Sequence, residues 1–325
     1  MRPRKRPYRC IMVRYQPIDA FRGLAILGMV FFTVTLRLSS DLPDPLRHNV
    51  WGSIHLGDFI LPMFLFASGL SLAYFLQKRE KEKQNTFLQD VIKRFGKLAL
   101  VGISLSLFSA YEFLEMDEVM LCAFLFIVCV ALHRLDWRVI LGVIFFINLS
   151  YLVLIQLDWV SIFIGHYLGG YPAALYYLPV MLVGLMIGKG IISKGLWCRS
   201  NKITIVMIFA FFLIFWSFIP LNKLTASPSF IMFSILFSFL IFAVTEKIAC
   251  NINSLGELEY IGRKPLRYWL MMYIVFLIPL RFYIEVSGQI LPLHIQWSIG
   301  IAISLGLVIL LWGISYMIDY IAVSN

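Results

Sequence analysis

Charge is what this chain is short of. Only 14% of its 325 residues are Asp, Glu, Lys or Arg, against 60% hydrophobic, and the mean hydropathy is +0.84. A soluble domain cannot hide that much apolar surface, so a soluble enzyme is excluded and a polytopic, all-α integral membrane protein is expected. The short alternating segments of a transmembrane β-barrel are missing as well; the apolar runs are continuous and about 20 residues long. Cysteine is sparse: Cys10, Cys122, Cys129, Cys198 and Cys250 are scattered and odd in number, which argues against a disulfide framework. No His, Cys or carboxylate cluster has metal-ligand spacing, so no catalytic metal is expected. The basic leader Met1–Arg14 runs into a long span without a small-residue cleavage site. It reads as an anchor and not a cleaved signal, with Met12 open as an alternative start.

What is present is a series of about ten apolar spans. They fall near 18–38, 55–77, 94–114, 118–135, 138–157, 171–192, 202–221, 229–249, 265–285 and 296–319,. Loop charge sets their direction. With the N-terminus inside, 24 of the 28 Lys and Arg lie in inner segments, and only Arg37, Arg47, Lys223 and Arg281 lie outside. Both termini are therefore cytoplasmic. The expected organisation is a basic N-terminus (1–17), one transmembrane region (18–320) and a short tail (321–325). The net charge of +10 is mostly a topology signal. Nucleic acid is a poor partner for basic residues held in short membrane loops, whereas membrane lipid is an obligatory one. The connector 77–89 and the acidic outer loop 111–118 read as solvated segments. The Gly-rich stretch 158–171 is too short for a span and suits a re-entrant or interfacial segment. No internal repeat of the transporter kind is visible.

One region carries a dense polar set. Residues 47–69 (RHNVWGSIHLGDFILPMFLFASG) place His48, Trp51 and Asp58 at the mouth of the first two spans, and the first span opens with IDAFRG at 18–23. Ionisable groups at the membrane edge are costly and are read first as functional. A lone carboxylate such as Asp58 in an apolar run must be paired, with His48, with Arg37 or Arg47, or with another helix. Asp19 and Arg22, three apart, can pair locally.

These residues resemble the heparan-α-glucosaminide N-acetyltransferase family of transmembrane acyltransferases. The likeness rests on Asp19, Arg22 and Gly23, then on His48, Trp51, Asp58 and Pro62 in order and spacing, followed by Phe64, Phe66 and Gly69. It continues more weakly through 171–189 and 255–269. The large extracytoplasmic domain of the animal members is lacking, Thr33 stands where the family has Asn, and the late segment carries Lys264 and Met272. The resemblance implies transfer of an acyl group, typically acetyl, from cytosolic acetyl-CoA to an amino sugar or glycan on the outer side, with His48 as the catalytic His.

Two chemistries are open to His48. Its imidazole can take the acceptor's proton as general base, or attack the thioester and carry the acetyl group itself; the bland alternative is an interfacial His in a solvated loop. Asp58 is the expected supporting group. Thr33, Trp51, His55 and His166 are expected to line the site, with His294 a further outer-side candidate, while His133 is interfacial. For the CoA phosphates the available cations are Arg22 (held by Asp19), Lys93, Arg94, Lys97, Arg263, Lys264 and Arg267, each of which also serves as a positive-inside anchor. A multi-span transporter or flippase is the rival class, and a homodimer is compatible with either.

Overall fold

The computed structural model describes residues 15–47, 54–81, 87–109, 118–156, 171–223, 225–251, 255–288, 293 and 295–324. These form helices, turns and short connections, with no strand among the described residues. In chain order the helices are α1 (Gln16–Leu38), α2 (Ile60–Lys81, headed by a 3-10 turn Leu56–Phe59), α3 (Phe87–Ser109), α4 (Glu118–Leu132) and α5 (Trp137–Gln156). They continue with α6 (Tyr171–Lys194), α7 (Arg199–Trp216), α8 (Pro228–Asn251), the short α9 (Gly256–Arg263), α10 (Pro265–Ser287) and α11 (Trp297–Ser324).

Each of the ten expected spans falls on one of these helices. Among the described residues, seven are long and apolar enough to cross a membrane: α1, the second (Leu56–Glu80), α6, α7, α8, α10 and α11. Apolar α4 and α5 are shorter by the same measure, and α3 carries Asp90, Lys93, Arg94 and Lys97 in its first half. The protein is thus an integral, multi-pass membrane protein, with seven helices among the described residues long and apolar enough to span where about ten spans were expected. The element that sequence periodicity passed over is α9, whose eight residues are too few to signal a span.

Local chemistry explains several boundaries. Pro17 occupies the first turn of α1 and Pro265 that of α10, where a missing N–H costs nothing,. Gly288, at φ +68°, closes α10 in the left-handed conformation,. A π turn at Tyr273–Leu277 interrupts α10, and Pro179 lies inside α6, as membrane helices tolerate,.

Helix pairs in lipid gain little from the hydrophobic effect and rely on close backbone approach at small residues. α2 and α6 cross at Gly69, Gly184 and Gly188; a Cβ on Gly69 would overlap the Met181 carbonyl, and one on Gly184 the Phe66 carbonyl. α1 and α9 cross at Gly23 and Gly262, whose Cβ atoms would run into the Leu258 and Asp19 carbonyls. Among the described residues the buried apolar side chains form two clusters. One gathers around α2, α6 and α8 (Phe66, Leu70, Leu185, Phe230, Phe242); the other joins α1, α10 and α11 (Val30, Val34, Tyr268, Met272, Leu311).

Replacing Gly184 by Ala is expected to lower stability by about 1–3 kcal/mol through overpacking. Gly142→Ala on α5, where a Cβ meets open space, is expected to be neutral or slightly stabilising. Thermal unfolding in detergent, followed by tryptophan fluorescence, compares the two; equal midpoints would show that the α2–α6 crossing does not depend on glycine.

Candidate functional site

A cavity of about 230 Å³ opens on the seam between the two apolar clusters. Its walls come from both: Leu72, Cys122 and Phe126 belong to the first, and Ile26, Met29 and Trp269 to the second. α2 contributes Ser68 and Ser71, α3 contributes Arg94 and Lys97, and α4 contributes Glu118. Cations expected at the inner side and an acid expected at the outer side therefore line one cavity.

Arg22 anchors the inner end. Its Nε donates to the Gly262 carbonyl (2.5 Å), Nη1 to Ser71 Oγ (3.0 Å) and Nη2 to Asp19 Oδ1 (2.6 Å). One side chain thus ties α1 to α2 and α9, which is possible because Gly23 and Gly262 bring α9 against α1. Asp19 is buried, with Arg263 Nε 3.9 Å from its second oxygen. Arg94 lies over the rings of Phe75 (4.9 Å) and Phe126 (5.8 Å), a cation–π seat that holds the guanidinium at the cavity wall,. Ser68 and Ser71 donate back to the α2 carbonyls of Phe64 (2.9 Å) and Ala67 (2.8 Å), so their lone pairs face other groups. The buried indole N–H of Trp269 has no protein acceptor among the described residues.

Toward the outer side of the bundle, apart from the residues that line the cavity, lies a buried ion pair. Asp58, fully buried in the turn that heads α2, accepts the His55 backbone N–H (2.9 Å) and lies 3.1 Å from Lys223 Nζ. Lys223 comes from the loop between α7 and α8, and its side chain is only 17% exposed. Burial pushes the Lys223 pKa down, while the charges of Asp58 and, at longer range, Glu118 push it back up,. Removing two charges from water costs several kcal/mol each, a cost met only by close pairing.

The other expected site residues are distributed as follows. His55 is adjacent to Asp58, its Nδ1 3.9 Å from Oδ2. Thr33 is half-buried on α1. Lys93 is exposed on α3 and does not line the cavity. Lys264 and Arg267 are tied to Asp319, the latter at 2.7 Å, and Tyr260 donates to the same carboxylate (2.6 Å). Arg263 is shared between Asp19 and Glu259. His133 Nδ1 meets the Val130 carbonyl (2.5 Å) at the inner end. His48, Trp51, His166 and His294 lie outside the described residues. Sequence reasoning passed over Ser68, Ser71, Glu118 and Lys223. The available signal for Lys223 was that it is one of only four outer cations; for Glu118, that it opens a span directly.

A family model described as "Heparan-alpha-glucosaminide N-acetyltransferase, catalytic" matches residues 14–203, more than half of the chain. No curated protein matches it.

Arg22→Met takes from the buried Asp19 its 2.6 Å ion-pair partner, and is expected to cost about 3 kcal/mol. Lys93→Met, at an exposed position, is expected to stay within about 0.5 kcal/mol of wild type. Thermal midpoints of the two purified variants check this, and an Arg22→Met midpoint at the wild-type value would remove Arg22 as the inner anchor.

Proposed function

Because the chain belongs to the heparan-α-glucosaminide N-acetyltransferase catalytic family, we propose that it transfers an acetyl group from cytosolic acetyl-CoA to an amino sugar or glycan at the outer face. The observation that carries this reading is the mixed lining of the cavity: Arg22, Arg94 and Lys97, inner-side cations by the charge asymmetry, line it together with apolar walls, two serines and Glu118 from the start of α4. CoA has the complementary form, a phosphate-bearing head and a long, mostly apolar pantetheine arm.

In this reading the phosphates lie against Arg94 and Lys97, with Arg22 fixed nearby by Asp19. Charge-assisted contacts of this type are the strong ones. The arm runs along Ile26, Met29, Leu98 and Trp269 and carries the thioester toward the outer end. The acceptor's nitrogen or oxygen attacks the thioester carbonyl carbon; the carbon–sulfur bond breaks and the CoA thiolate leaves. The acceptor's proton passes to His48, ten residues before Asp58 in the chain, and an ionised Asp58 stabilises the imidazolium that forms. Direct attack is favoured over an acetyl-imidazole intermediate, since a CoA arm extended along one cavity brings both substrates to one His without a second step.

His48→Ala is expected to lower turnover by about 10²–10⁴ while acetyl-CoA binding is retained. Wild type incubated with labelled acetyl-CoA and no acceptor is expected to release no CoA; a labelled His48 adduct with stoichiometric CoA release would replace direct attack by two-step transfer. Near-wild-type transfer by His48→Ala would overturn the assignment under either route. For the donor, Arg94→Gln and Lys97→Gln are each expected to weaken acetyl-CoA binding by about 1.5–3 kcal/mol, whereas Lys264→Gln, whose charge serves Asp319, is expected to leave it unchanged. Direct titration calorimetry reads the difference.

A further inference from the structure

The family match ends at residue 203, yet Lys223, whose ammonium pairs with Asp58, lies beyond it. We infer that Lys223 is a positioning residue of the acyl-transfer site, and that the 217–227 loop exists in this fold to deliver its ammonium to the Asp58 carboxylate. The inference rests on the acetyl-transfer reading and adds to it a component from a second part of the chain.

Three observations carry it. First, a lysine in an outer loop has a cheap alternative, which is to lay its stem on the apolar surface and send its ammonium to water. Lys223 instead buries the ammonium 3.1 Å from a carboxylate that has no exposure at all. Second, the loop that presents it is built, not slack. The Asn222 N–H donates to Ser227 Oγ (2.9 Å) and the Ser227 N–H to the Asn222 carbonyl (2.9 Å). Ser227 and Ser229, both fully buried, donate to the Pro220 carbonyl at 3.1 and 3.0 Å. Ala226 donates to the Lys223 carbonyl (2.9 Å) and holds φ at +48°, the one positive φ outside glycine among the described residues. Backbone strain of this kind persists only where the surroundings over-determine it, and it concentrates at functional sites.

Third, Lys223 brings a positive charge to a carboxylate-bearing site. Asp58 is faced by Lys223 from the loop, by His55 from its own turn, by Tyr177 from α6 within electrostatic reach, and, through Lys223, by Glu118 of α4. Of these, Asp58 and Glu118 are acids, and Lys223 is the fixed cation between them. In the proposed transfer, proton uptake makes His48 an imidazolium, which an ionised Asp58 is there to stabilise. The Lys223 ammonium favours that ionised form and fixes its direction by occupying Oδ1, while the His55 N–H occupies Oδ2. Lys223 itself donates no proton to substrate in this scheme; it acts through Asp58.

The test compares Lys223→Met, Lys223→Arg and the double variant Lys223→Met/Asp58→Asn in full-length protein, with acetyl-CoA and a glucosamine acceptor. Lys223→Met is expected to bind acetyl-CoA like wild type and to lose at least tenfold in kcat with little change in KM. Its acid limb of kcat/KM moves to higher pH, because a buried carboxylate without its counter-cation takes up a proton more readily. Lys223→Arg keeps the charge and is expected to restore the acid limb and most of kcat. The double variant, with no buried charge left unpaired, is expected to match the wild-type thermal midpoint and remain inactive. A purely structural lysine would change the yield of folded protein and leave the acid limb where it is.

Lys223→Met with the wild-type kcat and acid limb overturns the inference, as does a double variant as active as wild type. Should Lys223→Met fail to fold, Lys223→Arg decides: a folded, inactive Arg variant overturns the inference, and one with the wild-type acid limb and at least a tenth of kcat upholds it. Wild type that transfers no acetyl group overturns the acetyl-transfer reading and the inference with it, whereas active wild type with an indifferent Lys223→Met removes the inference alone.

Discussion

A charge withdrawn from water inside a helical bundle must meet an opposite charge at contact distance, and the architecture of this protein follows from that demand. Buried carboxylates anchor both ends of the bundle, Asp19 among the inner-end residues and Asp58 among the outer-end ones. Each recruits a cation from elsewhere in the fold: Arg22 and, at longer range, Arg263 for the first, Lys223 for the second. These pairs do more than offset their own desolvation. Arg22 spends its remaining donors on Gly262 and Ser71, and so fixes three helices at one point; Lys223 brings the α7–α8 loop down onto the turn that heads α2.

The ion pairs can reach because the backbones are close. Gly23 and Gly262 let α9 lie on α1 with no side chain between them, which puts the Gly262 carbonyl within 2.5 Å of Arg22 Nε. Gly69, Gly184 and Gly188 do the same for α2 and α6, making the first apolar cluster a tight block. The second cluster packs on the other side of α1, and the two do not merge. The cavity occupies the seam between them, so its shape follows from how the helices partition into clusters.

Much of this was legible in the sequence. Twenty-residue apolar runs have one structural meaning in a membrane, and the 24-to-4 split of the cations fixes their direction,. The spacing from Asp19 to Arg22 and from His48 to Asp58 exposed the two polar foci. The inner cations could not be told apart, since Lys93, Arg94, Lys97, Arg263, Lys264 and Arg267 all satisfy the same topological rule. Only the tertiary fold turns Arg94 onto Phe75 and Phe126 while sending Lys264 and Arg267 to Asp319. Lys223 was illegible for a different reason: 165 residues separate it from Asp58 in the numbering, and no short-range pattern joins a loop lysine to a carboxylate that far away. Glu118 was hidden in an acidic loop whose bland reading, a solvated face, is the usual one.

The form of the cavity also bears on the choice between a transferase and a transporter. A carrier exposes one site to each side in turn, so both ends of its pathway must open, and many carriers show their paired halves as an internal repeat. Here Arg22, on the cavity wall, is pinned to three acceptors on three helices, and the turn that heads α2 is tied to the α7–α8 loop by a buried ion pair. Opening either would strand a charge in an apolar interior. The cavity also combines three cations, an acid and apolar walls, a mixture that suits two different molecules meeting there better than one solute passing through. In the proposed transfer, an anionic co-substrate head held at the inner side, with its reactive arm extended outward, leaves only an acetyl group to change sides, and neither anchor then has to open.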